Sequence, residues 1–346
     1  MKKSAKQDCE NAFTSRDYTA YVQEMPKGNL DLIAKMESDR MVNLIVDEKA
    51  FRTELEVVQN ERRFRNENSA DGMMYQEIFS LAFEKHPYRW PVIGYQKDLD
   101  SMHAPDAYKF YQSHYSPNRA TVIVVGDVDA MEVVKTVDRY YAALPATAPE
   151  TSPARPVEPE QTKPKTRKMK FNIQVQKLMV GYRVPGIQSE ERGALDVLQL
   201  ILAGGKSSRL YRAAVKSGVA TEVEAFDLED EDPSLLLIAG NLQKGKSASQ
   251  LEAILLKEID ALSKGGATSD ELERARNRID FQFNEKLSTN MERASFLGHF
   301  ETSAGGFEVG LRRHDQAQSV DSAQVQALAA KYLKPHNRVV MMGEQK

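Results

Sequence analysis

Residues 115–126 read YSPNRATVIVVG, and residues 332–343 read YLKPHNRVVMMG. In each stretch a tyrosine is followed by proline, then an Asn-Arg pair, then a short apolar run ending on glycine. Such a run, rich in β-branched residues and bounded by turn residues, reads as a buried strand. Residues 121–128 (TVIVVGDV) are therefore expected to form one, with a counterpart at 339–343. The recurrence of the pattern in both halves points to a structural duplication. Working outward, helical spacing predicts helices over 30–47, with Asn29 as cap, and over 48–66 and 73–84. Two more are expected from Ala104-Pro105 to about 114 and over 129–143. Further on, strands are expected over 176–184 and 234–240, and helices over 190–202, 207–218 and 249–263. Thr268 with Glu271 makes a capping box for another long helix. Helices laid against strands in both halves imply an α+β chain of two related layered α/β sandwich domains. The sparse strands argue against a regular eight-fold barrel.

The boundary between the halves is residues 144–168, LPATAPETSPARPVEPEQTKPKTRK, which hold six of the chain's 14 prolines. Proline removes backbone donors and favours extended chain, so this segment reads as a proline-rich linker or strap. The expected domains are thus 1–143 and 169–346, joined by 144–168. A length of 346 residues suits two cores better than one. Lys plus Arg is 47 against 50 for Asp plus Glu, and that balance gives no basic surplus for a nucleic-acid partner. Cys9 is the sole cysteine and has no internal partner for a disulfide. No apolar run approaches the ~18 residues of a membrane span, so no transmembrane segment is expected. The basic start lacks the apolar stretch of an export signal.

Chemistry is most legible in residues 51–63, FRTELEVVQNERR. Glu54 and Glu61 are two helical turns apart and share a face, about 10 Å apart along the axis. That separation suits one metal ligand and one supporting acid. It equally suits a solvated face stitched by ion pairs to Arg62 and Arg63. The six histidines are His86, His103, His114, His299, His314 and His336, and no H-x-x-E-H or H-E-x-x-H occurs among them. Residues 204–208 (GGKSS) lack phosphate-loop spacing and read as a turn before a helix. The run Glu229-Asp230-Glu231-Asp232 reads as an acidic loop rather than a calcium site.

Several separated patterns together make the chain resemble the pitrilysin/insulinase family of zinc metallopeptidases. They are Asn11-Ala12-Phe13-Thr14 with residues 17–21 (DYTAY); Glu54 to Arg63; His86-Pro87-Tyr88; Tyr115-Ser116-Pro117-Asn118; residues 202–211 (LAGGKSSRLY); and residues 268–272 (TSDEL). They span essentially the whole chain in family order. The resemblance implies that Glu61 is a zinc ligand and Glu54 its supporting acid. It also implies that Asn11, Ala12, Phe13 and Thr14 form an edge strand to which a peptide substrate adds by backbone pairing. Arg209 and Tyr211 match a second-domain motif and are expected to pack rather than react. In the family, an H-x-x-E-H helix ahead of the Asn-Ala-x-Thr strand supplies two zinc histidines and the glutamate base. None of that motif is present here. The first domain is accordingly expected to be incomplete, an N-terminally truncated relative with no catalytic residue of its own.

The expected function is therefore that of a zinc metallopeptidase-family protein associated with peptide-bond hydrolysis. This chain is expected to be inactive alone and to bind no zinc tightly, although full-length relatives use zinc. One alternative is a non-catalytic partner or structural subunit, in a homo- or hetero-oligomer with a related peptidase. Another is a remnant or an incomplete gene model. Peptide or unfolded polypeptide would be the substrate of a complete enzyme. As the chain stands the expected compartment is cytoplasmic, and periplasmic if an export signal lies upstream.

Overall fold

The computed structural model describes residues 10–147 and 154–346. Cys9 and residues 148–153 of the proline-rich segment lie outside the described residues. The fold is α+β. The described residues begin with the hairpin β1 (Glu10–Thr14) and β2 (Thr19–Gln23), followed by α1 (Leu30–Asn43), α2 (Glu48–Arg62), α3 (Ala70–Ala82), α4 (Gln96–Ser101) and α5 (Ala104–His114). A 3₁₀ turn (Pro117–Arg119) and α6 (Ala130–Tyr141) complete this half. The second half holds β3 (Lys165–Phe171), β4 (Lys177–Val184), α7 (Arg192–Ala203), and the pair β5 (Ala220–Asp227) and β6 (Ser234–Leu242). Then come α8 (Ala248–Gly265), α9 (Ser269–Lys286), α10 (Asn290–Ala304), α11 (Glu308–Ser319), α12 (Ser322–Tyr332), a 3₁₀ turn (Pro335–Asn337) and β7 (Arg338–Gln345). The order hairpin, five helices, 3₁₀ turn, apolar run thus occurs twice.

Contacts divide the chain into two units that are not contiguous in sequence. The first comprises residues 1–62, 92–154 and 286–302, and the second 63–91, 155–285 and 303–346. Near the proline-rich segment the division falls at 154/155. Residues 63–91, with α3, group with the second unit, and most of α10 groups with the first.

The second unit is organised by a five-stranded sheet of order β3-β7-β4-β6-β5, with β3 parallel to β7 and the other pairs antiparallel. Side chains alternate across a strand, so each central strand feeds two cores. Leu178, Val180, Tyr182, Leu236, Ile238, Val340 and Met342 pack with Leu198, Leu255 and Leu328 from α7, α8 and α12. Met179, Leu235, Leu237, Val339 and Met341 meet Met74, Ile78, Phe79 and Ala82 from α3. Helix α3 starts at Ser69, whose side chain accepts from the Gly72 N–H. Its apolar positions recur at helical spacing and cover the sheet face. At Gly181 a Cβ would lie 3.2 Å from Leu237 and 3.3 Å from Ile78, so glycine permits this close approach of sheet and helix.

The proline-rich segment is anchored rather than simply exposed. Gln161 is buried and donates from Nε2 to His336 O at 3.0 Å and to Arg338 O at 2.9 Å. The Glu158 carboxylate accepts the N–H groups of Glu84, Lys85 and His86 at 2.7, 2.8 and 2.9 Å. Residues 165–168, read from sequence as linker, are the start of β3. Their Lys and Arg side chains hide the strand in composition, while parallel pairing to β7 fixes it.

The first unit departs most from expectation. Its one ladder among the described residues is β1 with β2. Residues 121–128 are not a strand, although their composition matches β7. A strand is defined by its partner, and no ladder reaches this run among the described residues. Asn29 precedes α1 but makes no side-chain cap; its amide donates to Pro26 O at 2.7 Å instead. The helix read over 207–218 is reduced to a short stretch ending in a π turn, Tyr211–Val215. No helix of the described residues is long and apolar enough to cross a membrane.

Candidate functional site

Helix α2 carries both acidic candidates. Its buried residues are Leu55 and Arg62, themselves two turns apart, so they mark the face turned inward toward α4 and α5. Glu54 and Glu61 stand one position before each of them, at the border of that face. Glu61 is half-buried and Glu54 is exposed. The helix is pinned by Arg62, whose Nη1 donates to Gly94 O at 2.7 Å, and by Gln59, whose Nε2 donates to Asp100 at 3.1 Å. The opposite face is solvated along the helix, with Arg52, Glu54, Glu56, Asn60 and Arg63 exposed, and Arg52 pairs with Glu48 at 2.7 Å.

The described residues do not fit a zinc centre by themselves. Three protein ligands are the usual minimum, and among the described residues no group of three or more His, Cys, Asp or Glu side chains could hold a metal ion. His103, on the loop before α5, has Nδ1 3.3 Å from the Arg52 guanidinium, a cationic neighbour unsuited to a metal ligand.

The Asn11–Thr14 stretch lies within β1, where all five residues are exposed. Asn11 Oδ1 accepts the Ala12 N–H at 2.9 Å, and the Phe13 ring meets Tyr18 edge-on at 5.8 Å. One side of β1 is bonded to β2; the other has no ladder among the described residues. This is the geometry that accepts an added strand.

Arg209 is held inside the second unit. Its Nε donates to Glu271 Oε1 at 2.9 Å and its Nη2 to Oε2 at 2.7 Å, with a further bond to Gly266 O at 2.9 Å. Glu271 closes the expected capping box, accepting the Thr268 N–H at 3.0 Å while Thr268 Oγ1 accepts its own N–H at 3.2 Å. Burial disfavours the Glu271 carboxylate, but Arg209 and Thr268 outweigh it and bring its pKa down to about 2. This clamp is structural.

Two clusters escaped the sequence reading because their members are far apart in the chain. His86 is buried between Phe83 and Tyr88. Its Nδ1 accepts the Tyr88 N–H at 3.3 Å, which places the proton on Nε2, 3.1 Å from Asp232. Arg155 also pairs with Asp232, at 2.6 Å, and with Glu231 at 3.2 Å. The acidic loop therefore supplies counter-ions to Arg155. The second cluster joins Arg192 with Asp227, and Arg313 with Asp196 and Glu229. Burial pushes the Asp227 carboxyl up despite both arginines, and Glu229 takes a left-handed backbone (φ 51°) beside them.

Comparison with known proteins places this geometry. Residues 101–279 match the family described as Peptidase M16 inactive domain. The chain is 30% identical over 297 residues to the zinc protease PqqE of Helicobacter pylori, covering 85% of this chain and 64% of that relative. It is 26% identical over 336 residues to an uncharacterized zinc protease of Mycobacterium leprae, covering 96% of this chain and 75% of that one. The crystal structure of a protease from Helicobacter pylori superposes with a TM-score of 0.91 at 26% identity, over 97% of this chain and 82% of that chain. Family match, relatives and fold agree: the chain belongs to the M16, or pitrilysin/insulinase, family of zinc metallopeptidases.

Proposed function

We propose that this chain is a peptide-handling part of an M16 zinc peptidase and does not turn over peptides by itself. The observation that carries the reading is the pairing of an open edge strand, β1, with a half-buried Glu61 that has no set of fellow metal ligands among the described residues. In this reading Glu61 is one ligand of a zinc ion whose other ligands come from elsewhere, and Glu54 supports it from two turns away on the same helix. The strand Asn11–Thr14 holds an extended peptide by backbone hydrogen bonds, which recognise main chain and tolerate varied side chains. When bound, zinc would polarise a scissile carbonyl and activate water. The family domains expected over 1–143 and 169–346 are proposed as related halves, with the proline-rich segment that joins them running up to the start of β3 at Lys165.

The test measures peptide cleavage by the purified chain with zinc supplied. No turnover above buffer is expected; turnover that disappears with a chelator and returns with zinc refutes the reading. A second reading, a non-catalytic subunit that pairs with a related peptidase, is favoured by the exposed apolar residues of the first unit, Val122, Phe110 and Leu44 among them. Light scattering of the chain alone and with an M16 peptidase separates the two: a strict monomer under both conditions excludes the subunit.

A further inference from the structure

We propose that His299, on α10, is a positioning residue for the edge strand β1, acting through ring contacts that run from α10 through Tyr18 to Phe13. The proposal rests on the reading of β1 as the strand that holds an extended peptide, and adds what keeps that strand in place.

A two-stranded hairpin on its own is marginal in water. All five residues of β1 are exposed, and its ladder among the described residues is to β2 alone. Ser15 Oγ accepts the N–H groups of Asp17 and Tyr18 at 3.2 Å, and the Ser15 N–H donates to Tyr18 O at 2.8 Å. These bonds close the turn on itself. An ordered edge needs contacts with the body of the unit as well, and side chains alternating across the strands offer two faces for them. On one face Tyr21, paired in register with Ala12, lies under the Arg40 guanidinium at 4.0 Å and shares a 2.6 Å hydrogen bond with the Tyr115 hydroxyl. Phe13 stands on the other face.

That second face is served by α10. Residues 286–302, which hold most of α10, belong to the first unit although they come from the far end of the sequence. The Phe13 ring meets Tyr18 edge-on, and Tyr18 meets the His299 ring, each pair with centroids 5.8 Å apart. His299 in turn meets Phe300 at 5.2 Å, and Phe300 meets Phe296 at 4.9 Å. Phe13 is 42% exposed, whereas Phe296 and Phe300 are 7% and 4% exposed. The rings therefore run from the edge strand to a buried anchor, and His299 is the link between the helix and the hairpin. Gly298 brings α10 close: a Cβ there would lie 2.9 Å from the Ile123 side chain. Ring contacts are directional, so they hold orientation as well as position.

A fixed edge matters for strand addition. Backbone pairing needs the open N–H and C=O groups of β1 aligned over several residues. A strand that is already ordered loses less freedom when a peptide adds to it. In this role His299 acts through Tyr18 and Phe13 and does not itself contact the peptide.

The test uses the full chain and its variants His299→Ala, His299→Phe and Tyr18→Leu. Amide hydrogen exchange is followed across β1 and β2, with β4 and β6 of the second unit as internal reference. In His299→Ala the hairpin amides should exchange about three- to tenfold faster, the scale of a lost ring contact, with the reference unchanged. His299→Phe keeps a ring and should restore the native rate. Tyr18→Leu cuts the same series of contacts, so it should match His299→Ala, and the double variant should add nothing further. Binding is read in parallel by fluorescence anisotropy, with fluorescein-labelled, reduced and carboxymethylated lysozyme as an unfolded probe. His299→Ala should weaken it about three- to tenfold, and His299→Phe should restore it. The proposal is overturned by unchanged hairpin exchange in His299→Ala, by acceleration that extends equally to β4 and β6, by failure of phenylalanine to restore the rate, by additive effects in the double variant, or by faster exchange with unchanged binding. A native chain that binds no probe refutes the edge-strand reading instead, a failure the exchange rates tell apart from that of His299.

Discussion

Replacing Glu271 by glutamine removes the charge that fastens the start of α9 to Arg209. The two side chains are 7% and 11% exposed, so solvent screens the pair little. Glu271 drops from its usual 4.5 to about 2 on folding, because Arg209 and Thr268 outweigh the cost of burial. A carboxyl depressed in this way stabilises the fold fully above its unfolded value, and that contribution fades as pH falls through its folded value. At ~1.4 kcal/mol per pH unit the contribution is about 3 kcal/mol, lost between roughly pH 4.5 and 2. Removing one partner of a buried pair also strands the other charge, and about 3 kcal/mol is the usual scale of that loss. Urea unfolding followed by circular dichroism, for the native chain and Glu271→Gln at pH 7, 5, 4 and 3, reads the difference. A gap of about 3 kcal/mol at pH 7, narrowing steadily below pH 4.5, is expected. A gap of constant size across that range, or none at pH 7, refutes the reasoning.

Glu158→Ala leaves the three N–H groups of residues 84–86 without their carboxylate and should cost about 1–3 kcal/mol, measured by urea unfolding at pH 7. His86→Ala opens a space between Phe83 and Tyr88 and removes the donor to Asp232; a loss of about 2–4 kcal/mol is expected in the same assay. Gly181→Val presses a branched side chain onto Leu237 and Ile78 and should lower stability by about 1–3 kcal/mol, read by thermal unfolding.

The sequence was most legible where a local pattern and its tertiary partner coincide. Strands β4, β6 and β7 carry apolar runs and also have neighbours, and the Thr268–Glu271 box is built from residues three apart. Residues 121–128 carry the same signal as β7, yet form no strand, because pairing is a long-range property that composition does not encode. Helix α3 is readable from Met74, Ile78 and Phe79, but nothing local says that its apolar face covers the sheet of the second unit. The acidic loop at 229–232 could be read only as an acidic loop, because its counter-ions, Arg155 and Arg313, lie some 80 residues away on either side. Glu61 is singled out by family resemblance alone, since a single carboxylate on a helix has no spacing of its own to mark it, and its role as a zinc ligand is a proposal.

The zinc content of the purified chain, measured by mass spectrometry after exhaustive dialysis, tests the central claim most directly. With Glu61 lacking a set of fellow ligands among the described residues, the content should fall far below one zinc per chain. A tightly held zinc in every chain, lost when Glu61 is changed to alanine, would contradict the account.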